Sequence, residues 1–472
     1  MRIGSVSKLC VEPARFSHTI SMCPCRTTTG AASHPAVAGT RIRRLPAGST
    51  LVSQPRSVAH SMRRVRIFSS FRDGRGTAHI ISKSEQTRSV VRSIVSPFRD
   101  SIGSGTVLTL LPRLPYGVFT VTTNLFGMTL EGLTTLAEQR QWPRYRARQL
   151  SDWLYHHHVE QIDEISNLAR SDRELLSQSH AVRVRPPLEV HISSDGTRKY
   201  TFETDSQDVI ETALIPEGER LTLCLSSQVG CRVGCVFCAT GAMRLRGNLS
   251  AGEILNQYRS IPERDRITNI VFMGMGEPLD NLTAVIDAVY ALTEQWGYGM
   301  SRRRITLSTV GKPEPLRRFL DRCDVRLAVS LHTPFQEERR RLLPGTRGYD
   351  LNELIAMLRE RAKDDSRRVS FEYVMLDGVN DSMEHADATA ALLAGMDTRI
   401  NLIPFHPWDG NNLVPTPPAH ITRFRDRLEH RGLTATVRAT RGLDIDAACG
   451  LLATQRPGRA TEPVSAENSP AS

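Results

Sequence analysis

The feature that most constrains the fold is a regular alternation of short apolar runs and longer amphipathic stretches after residue 220. The apolar runs have the length and composition of buried strands, and the stretches between them repeat apolar residues at helical spacing. Strand-like runs occupy residues 221–225, 267–273, 304–307, 325–329, 369–375 and 400–403, and helix candidates occupy residues 251–258, 282–295, 351–361 and 383–393. Strands that alternate with helices form a parallel sheet. We therefore predict an α/β fold, a partial (β/α)6 barrel over residues 217–442.

Small or polar residues stand where several of these strands would end. Gly276 and Glu277 follow the second run, Ser308 follows the third, and His332 comes shortly after the fourth. The carboxyl ends of parallel strands meet on one side of the fold, where enzymes of this class carry their chemistry. The sequence therefore predicts an active site at that side.

Positive charge is concentrated in the first hundred residues. The formal net charge is +11, but residues 1–100 contain seventeen Lys and Arg against four Asp and Glu, a local charge of +13, so the other 372 residues sum to −2. Any affinity of the core for RNA must then come from local patches. No apolar run is long enough to span a bilayer, so we expect a cytoplasmic protein without membrane attachment.

Residues 1–123 form a basic extension that is rich in Ser, Thr, Arg and Gly and has no helical or strand period. The composition is similar to that of an organellar transit peptide. An equal alternative is a start codon assigned too far upstream, with Met62 or a later codon as the true start. In both cases the composition predicts disorder.

Residues 124–216 are predicted to form a small, mainly helical accessory region. Helical spacing covers residues 130–138 and 143–156, and a turn signal at residues 194–197 separates two strand-like runs. The arginines near residue 146 could contact RNA, or they could form a solvated helix face. The arginines that could hold phosphates are Arg144, Arg146, Arg148, Arg183, Arg185, Arg302, Arg303, Arg304, Arg339, Arg340 and Arg341.

Three closely spaced cysteines give the strongest local signal. Cys231, Cys235 and Cys238 follow the first strand-like run, with an aromatic residue before the last of them. Three thiolates can hold a 4Fe–4S cluster and leave one iron open, where S-adenosylmethionine (SAM) can bind through its amino and carboxylate groups. The alternative is zinc with Cys224 as the fourth ligand, although zinc prefers cysteine pairs separated by a longer loop. The chain has nine cysteines, an odd number that argues against a secreted disulfide framework.

The motifs around this triplet resemble those of the RlmN/Cfr family of radical SAM adenine methyltransferases. The segments that carry the resemblance are LCLSSQVGC (residues 223–231), GMGEPL (274–279), TLST (306–309), SLH (330–332), NLIP (401–404) and TRGLDIDAAC (440–449). They occur in one collinear order between about residues 124 and 454, and the resemblance does not extend to residues 1–123. One departure is Phe-His-Pro at residues 405–407, where the family more often has Asn before the proline. No catalytic role depends on it.

The resemblance implies a full set of site residues and a radical SAM barrel as the fold. It assigns the cluster to Cys231, Cys235 and Cys238. It makes Glu211 the proton acceptor, Cys449 the cysteine that carries the methyl group, and Cys224 the cysteine that resolves the adduct. The residues implied to contact SAM are Gly276, Glu277, Ser308, Ser330, Leu331, His332 and Asn401. The structural alternatives are a surface carboxylate for Glu211 and a small buried side chain for Cys449; Cys323 is expected in the core.

The implied reaction uses two SAM molecules, because C2 and C8 of adenine are too electron-poor for direct methyl transfer. One SAM methylates the Cys449 thiolate by displacement. The other is cleaved reductively to a 5′-deoxyadenosyl radical, which takes a hydrogen atom from the S-methyl group, and the methylene radical adds to the ring. Cys224 then forms a transient disulfide with Cys449 and releases the product.

The implied substrates are an adenine of 23S rRNA near the peptidyl-transferase centre and the adenine 3′ to the anticodon in some tRNAs, each extruded from its stack. An electron donor such as flavodoxin or ferredoxin is implied, and we expect a monomer. Residues 443–472 are predicted to carry Cys449 and then a disordered tail. Three other functions stay open. They are methylation at C8, which the contexts of residues 228–230 and 239–242 disfavour; a non-catalytic zinc protein that binds RNA; and a radical SAM enzyme that acts on proteins or small molecules, which would leave Cys449 without a role.

Overall fold

The structure is a computed structural model that describes residues 117–364 and 369–453, with five strand segments earlier in the chain. It contains two compact units, one that ends at Val184 and includes Ser250–Gly252, and a larger one that begins at Arg185. Cys10, Cys23, Cys25 and the predicted tail beyond residue 453 lie outside the described residues. Among the described residues, no helix has the length and apolar character needed to cross a membrane.

The smaller unit contains the two predicted accessory helices and a third. They are α1 (Leu130–Gln139), α2 (Tyr145–Tyr155) and α3 (Arg170–Ser177). The hydroxyl of Thr129 caps α1, because it accepts a hydrogen bond from the backbone N–H of Gly132 at 3.1 Å. Leu133 and Leu150 are fully buried, so each helix turns its apolar face inward. The helical part of the accessory region is therefore confirmed.

Strand segments also occur in the basic extension, where the sequence predicted no regular structure. The strands of this unit are β1 (Arg43–Arg44), β2 (Thr50–Leu51), β3 (Arg66–Arg72), β4 (Arg75–Ser82), β5 (Thr106–Leu111), β6 (Gly117–Asn124) and β7 (His180–Ala181). β3 and β4 pair antiparallel with Arg72 opposite Arg75, and the sequence between them is Asp-Gly, which two-residue hairpin loops favour. This local signal differs from the overall composition on which the prediction of disorder depended. The rest of residues 1–116 lies outside the description.

The larger unit is built on one ten-stranded sheet. Its strands are β8 (Glu189–Ile192), β9 (Arg198–Glu203), β10 (Val209–Glu217), β11 (Arg220–Cys224), β14 (Asn269–Phe272), β15 (Ile305–Thr309), β16 (Arg326–Ser330), β17 (Val369–Met375), β18 (Arg399–Pro404) and β19 (Thr434–Val437). β12 (Gln228–Val229) and β13 (Gly247–Asn248) form a separate pair. The order is β19-β18-β17-β16-β15-β14-β11-β10-β9-β8. All pairs from β11 to β19 are parallel. The six predicted strands are confirmed, and β19 is a seventh parallel strand that the sequence analysis did not include.

Helices follow these strands as an α/β fold requires. They are α4 (Ala239–Ala242), α5 (Ala251–Arg259), α6 (Leu282–Thr293), α7 (Pro313–Arg322), α8 (Gln336–Leu342), α9 (Leu351–Asp364), α10 (Met383–Leu393) and α11 (Pro418–His430). The four predicted helices correspond to α5, α6, α9 and α10. One face of the sheet is fully buried, since Ile270, Leu307 and Phe371 point to it and have no exposed surface, whereas Val271 and Ser308 on the other face are half-buried.

The predicted boundary at residue 216 does not coincide with the division in the structure. β10 pairs antiparallel with β11, with Ala213 opposite Cys224, and so joins the core sheet. The predicted turn between β8 and β9 is present, where the N–H of Ser193 donates to the carbonyl of Thr197 at 2.8 Å. Strands β8–β10 extend the sheet because a free edge of β11 would leave backbone groups without partners. The division therefore lies near residue 184.

Candidate active site

The three clustered cysteines lie on a loop that leaves the sheet after β11. β12 and β13 close the base of this loop, with Val229 opposite Gly247. Gly230 begins the loop with a φ of +71°, and a Cβ added there would lie 1.7 Å from the carbonyl oxygen of Arg244. Only glycine permits both the left-handed backbone and this close approach. We call residues 230–246 the cysteine loop.

Apolar side chains surround the three thiols. The residues packed with them include Val233, Phe237, Val310, Leu342, Leu343 and Phe405. Burial raises the pKa of the Cys231 thiol to about 12 and also raises the pKa values of Cys235 and Cys238. The charges of the other two cysteines raise the pKa of Cys235 further. Three thiolates in such a place need a bound cation, as a metal cluster supplies.

Cys224 lies apart from the cysteine loop. It packs with Ala213 and Ala447, and with Met273 at the edge of this group. A zinc ion holds thiolates at about 2.3 Å, which places the sulfur atoms about 4 Å apart. Among the described residues, the group whose ligand atoms all lie within 4.8 Å of one another is Asp377, Asp381 and His420, not a set of cysteines.

Gly276 and Glu277 follow β14 and join it to the neighbouring elements. Gly276 has a φ of +102°, and a Cβ there would lie 2.5 Å from the Cβ of Gln228. The Glu277 carboxylate is buried and accepts hydrogen bonds from the Thr309 hydroxyl at 2.6 Å and from the N–H groups of Val310 and Leu279 at 2.9 and 3.0 Å. Burial raises the pKa of Glu277. Protein donors thus already occupy most of this carboxylate. The backbone is engaged as well, since the Glu277 N–H donates to Gln228 Oε1 at 2.9 Å and the Glu277 carbonyl accepts from the N–H of Asp280 at 3.0 Å.

Two of the other predicted SAM contacts lie near the carboxyl ends of their strands, and Asn401 lies in the middle of β18, level with Ser330 across the sheet. Ser308 is on β15 and Ser330 on β16, both half-buried, and Leu331 is fully buried directly after β16. Asn401, on β18, donates to the Glu372 carboxylate at 2.8 Å and accepts from the Thr436 hydroxyl at 2.7 Å. The fold therefore brings these residues to one side of the sheet, where the strand ends meet.

His332 is buried and has a φ of +62°, which is unusual for a residue with a side chain. Its Nδ1 accepts a hydrogen bond from the N–H of Val374 at 3.0 Å, so a neutral ring carries its proton on Nε2. Burial and the charge of Arg339 lower the pKa of His332 to about 3. The ring packs edge-on against Phe237 of the cysteine loop, with centroids 4.7 Å apart. His332 is therefore uncharged at physiological pH and lines the candidate site.

Arg339 was expected to be available for RNA phosphates, and this prediction is wrong. The side chain is 1% exposed and donates to the carbonyl oxygens of Val310 at 2.7 Å and Ser330 at 2.9 Å. Its Nε has no hydrogen-bond partner among the described residues. Burial lowers the pKa of Arg339 to about 10, against the opposing effect of the nearby Cys235 and Glu277 charges. Arg339 lies on the same face of α8 as the buried Leu342, three residues later, and so turns inward with it. The run of three arginines conceals this in the sequence.

Glu211 lies on β10 and is 5% exposed, so it is not a surface carboxylate. Its Oε1 lies 3.3 Å from the Lys199 ammonium, and its Oε2 accepts a hydrogen bond from the N–H of Ala453 at 2.7 Å. Its backbone carbonyl accepts from the Ser226 hydroxyl at 2.5 Å. The carboxylate therefore faces the end of the segment that carries Cys449.

The segment that carries Cys449 is held on both sides of this residue. On one side, Asp444 accepts hydrogen bonds from the Ser193 hydroxyl at 2.6 Å and from the N–H of Ser194 at 3.1 Å. On the other side, the N–H of Ala239 donates to the carbonyl of Gly450 at 2.8 Å. Cys449 itself is exposed. We call residues 440–453 the C-terminal strap.

Cys224, Cys449 and the cysteine loop lie within electrostatic range of one another. Burial raises the pKa of the Cys224 thiol to about 12, and the charge of Cys449 adds to this effect. The charge of Cys449 also contributes to the raised pKa of Cys238. The charge of Arg438 acts against burial and lowers the pKa of Cys224, and it also interacts with Cys449. Sequence reasoning missed Arg438; the signal for it was only its place shortly before the strap motif.

Two family profiles match this chain. The Radical SAM superfamily matches residues 225–390, which contain the cysteine loop, and the ribosomal RNA large subunit methyltransferase N-terminal domain matches residues 123–182. The chain is also similar to the crystal structure of a radical SAM methyltransferase from Sphaerobacter thermophilus, with a TM-score of 0.64 and 42% identity, over 70% of this chain and 98% of that one. Fold and site together define a radical SAM methyltransferase.

Two relatives narrow this class. A probable dual-specificity RNA methyltransferase RlmN from Porphyromonas gingivalis is 47% identical over 332 residues, which are 70% of this chain and 97% of the relative. A dual-specificity RNA methyltransferase RlmN from Halorhodospira halophila is 43% identical over 333 residues, 70% of this chain and 92% of the relative. This chain belongs to the RlmN family of RNA methyltransferases, so the family and enzyme class predicted from the motifs are confirmed.

Proposed function

We propose that this protein methylates C2 of an adenine in 23S rRNA near the peptidyl-transferase centre, and the adenine 3′ to the anticodon in some tRNAs. The methyl group passes through an S-methylcysteine at Cys449. One observation carries the proposal: the hydrogen bond from Ala239 to Gly450 joins the residue after Cys238 to the residue after Cys449. It holds the C-terminal strap against the cysteine loop, within reach of a radical formed there. The words "dual-specificity" in the relatives' names support two kinds of RNA substrate.

The cysteine loop fits a 4Fe–4S cluster that has three protein ligands, Cys231, Cys235 and Cys238. Support comes from their shared burial and from the absence, among the described residues, of a cysteine group as tight as zinc requires. When it is bound, the cluster supplies the electron that cleaves SAM into methionine and a 5′-deoxyadenosyl radical. The residues proposed to line the SAM pocket are Gly276, Glu277, Ser308, Ser330, Leu331, His332 and Asn401.

Cys449 accepts the methyl group first, because Cys449 is exposed whereas Cys224 is buried. Its thiolate attacks the methyl carbon of SAM, and S-adenosylhomocysteine leaves with the electron pair of the broken bond. The S-methyl group then loses one hydrogen atom, and its carbon bonds to C2 of the adenine. At this stage the protein and the RNA are joined covalently.

Glu211 and Cys224 release the product. Glu211 accepts the proton from C2, for which Oε2 must exchange the N–H of Ala453 for the substrate. The Cys224 thiolate attacks the Cys449 sulfur, so that a disulfide forms and the bond from sulfur to the methylene carbon breaks. The methylene group takes up a proton, and the one electron that the adduct loses would return to the cluster held by Cys231, Cys235 and Cys238. A donor such as flavodoxin or ferredoxin supplies the two electrons that reduce the disulfide before the next turnover.

Two variants with different fates test these roles. We expect Cys449→Ala to form no protein–RNA adduct, because it has no methyl acceptor. We expect Cys224→Ala to accumulate a covalent adduct that denaturing electrophoresis detects and nuclease removes, because nothing resolves it. Cys323→Ala, which alters a buried thiol of the core, is the control and should turn over like the natural protein. If both Cys224→Ala and Cys449→Ala trap adduct, or neither does, the assigned roles are wrong.

A further inference from the structure

A row of polar side chains crosses four neighbouring strands at the candidate site. Ser330, Glu372, Asn401 and Thr436 lie directly beside one another on β16, β17, β18 and β19. Glu372 is 4% exposed, which is rare for a carboxylate in the middle of an apolar strand. One of its oxygens accepts from Asn401 at 2.8 Å, and Asn401 accepts from Thr436 at 2.7 Å. The row therefore fixes the position of a buried negative charge.

Arg438, one residue after β19, lies over the end of this row. Its Nε is 3.6 Å from the second Glu372 oxygen, Oε2, and that oxygen has no hydrogen-bond partner among the described residues. Its backbone N–H donates to the carbonyl of Leu402 at 2.8 Å, which ties it to β18. The side chain is 35% exposed. Glu372 thus pairs with one side of the Arg438 guanidinium, and part of the guanidinium remains exposed.

The same guanidinium lies near Cys224 and Cys449, the two cysteines with proposed roles in methyl transfer. The Arg438 guanidinium interacts electrostatically with the Cys449 sulfur, and against the opposing effect of burial its charge lowers the pKa of Cys224. One of its terminal nitrogens lies 3.7 Å from the Met273 sulfur, in the group that packs against Cys224. Charged and titratable groups around the guanidinium are therefore Glu372, Cys224 and Cys449. A cation shared by two thiols stabilises whichever one is deprotonated.

We propose that Arg438, positioned by Glu372, is the residue that stabilises first the Cys449 thiolate that accepts the methyl group and then the Cys224 thiolate that resolves the adduct. This inference rests on the proposed function of the two cysteines. In the first step the Cys449 thiol gives its proton to water, and its sulfur replaces S-adenosylhomocysteine on the methyl carbon. In the second step Cys224 attacks the S-alkylated Cys449, whose sulfur has then lost its charge, so the guanidinium is free to serve the second thiolate.

The test measures thiolate reactivity without turnover. Full-length protein is treated with iodoacetamide over a range of pH without SAM or RNA, and peptide mass analysis follows alkylation of Cys449. We expect Arg438→Met to slow alkylation at neutral pH by about tenfold, because the Cys449 thiolate loses its neighbouring cation. Arg438→Lys keeps the positive charge but loses the planar set of guanidinium donors. Its rate of Cys449 alkylation should lie between those of the natural protein and Arg438→Met. Arg425→Met is the control: it removes one positive charge from an exposed ion pair on α11 and should react like the natural protein.

The outcomes separate this inference from the proposed function. If Arg438→Met and Arg438→Lys both alkylate Cys449 at the natural rate, the inference is overturned, even if the natural protein methylates Cys449. If Arg438→Met loses RNA methylation but keeps thiol reactivity, the side chain serves SAM or RNA, and the inference is again overturned. If Arg438→Met reacts slowly but the natural protein never carries S-methylcysteine, the charge effect stands and the proposed function fails.

Discussion

At the level of single residues, the candidate site consists of side chains that protein partners already hold in place. The Glu277 carboxylate has three donors, Asn401 has a partner at each end, and His332 accepts from the neighbouring strand. Such side chains lose little freedom when a ligand arrives, which is what preorganisation requires. A ligand at these positions would meet backbone groups and the remaining lone pairs.

Two glycines of the cysteine loop allow a matched test of this rigidity. Gly230 and Gly234 both have positive φ, +71° and +68°, but a Cβ would collide with Arg244 only at Gly230, whereas at Gly234 it would have open space. We expect Gly234→Ala to destabilise the protein by about 1–2 kcal/mol through its left-handed backbone. Gly230→Ala should cost more and should also lower the iron bound after anaerobic reconstitution, because the loop must shift.

Chemical denaturation gives the two free energies of unfolding, and iron analysis gives the occupancy of the loop. Equal losses of stability and equal iron contents in the two variants would contradict the steric role given to Gly230.

The positions of the motif residues could be predicted from the sequence, but several of their partners could not. Cys231 and Gly276 stand in short local patterns whose spacing carries the prediction. Arg339, Glu372 and Arg438 do not: each is engaged by groups distant in the chain, and burial of a charge depends on those distant partners. Of these three, only Glu372 gives a signal in the sequence, because it is a carboxylate within a mainly apolar strand.

At the level of elements, Arg339 joins the ends of two strands. Its guanidinium binds a carbonyl just after β15 and another at the end of β16. Arg339→Met would leave both carbonyl oxygens buried without this donor, at about 1–3 kcal/mol each before relaxation. We expect the free energy of unfolding to fall by about 2–4 kcal/mol. Arg340→Met, which breaks only an exposed pair with Glu337, should change it by less than about 1 kcal/mol.

Denaturant titration of both variants measures this difference. Unchanged stability in Arg339→Met would mean that the buried guanidinium contributes nothing to the strand ends.

Some strands and helices could be predicted from local sequence patterns, and others could not. The six strands and four helices of the core were visible because apolar runs and helical spacing are local properties. The membership of β8–β10 in the core sheet was not, because the hairpin signal at residues 194–197 states that two strands pair but not which sheet they join. β19 was missed for a related reason: only the second of its four residues, Ala435, is buried, so it lacks an apolar run.

At the scale of the whole molecule, charge and chemistry are separated along the chain. Residues 1–100 carry a charge of +13, whereas the remainder sums to −2. The family profiles begin at residue 123, and the relatives align over 332 and 333 residues. We propose that specific recognition of RNA depends on local surface arginines. Arg340, Arg341 and Arg347, which line one surface pocket with Glu337, are candidates.

The most direct test of the central claim is the fate of the methyl group. The protein is supplied with SAM whose methyl group carries three deuterium atoms, a reductant, and 23S rRNA that lacks the modification, and the digested nucleosides are compared with authentic 2-methyladenosine and 8-methyladenosine. Our account predicts 2-methyladenosine with two deuterium atoms in its methyl group, and the third in 5′-deoxyadenosine, because Cys449 carries the methyl group when it loses a hydrogen atom. A product with all three deuterium atoms, methylation at C8, or a zinc-bound protein that forms no methyladenosine would contradict it.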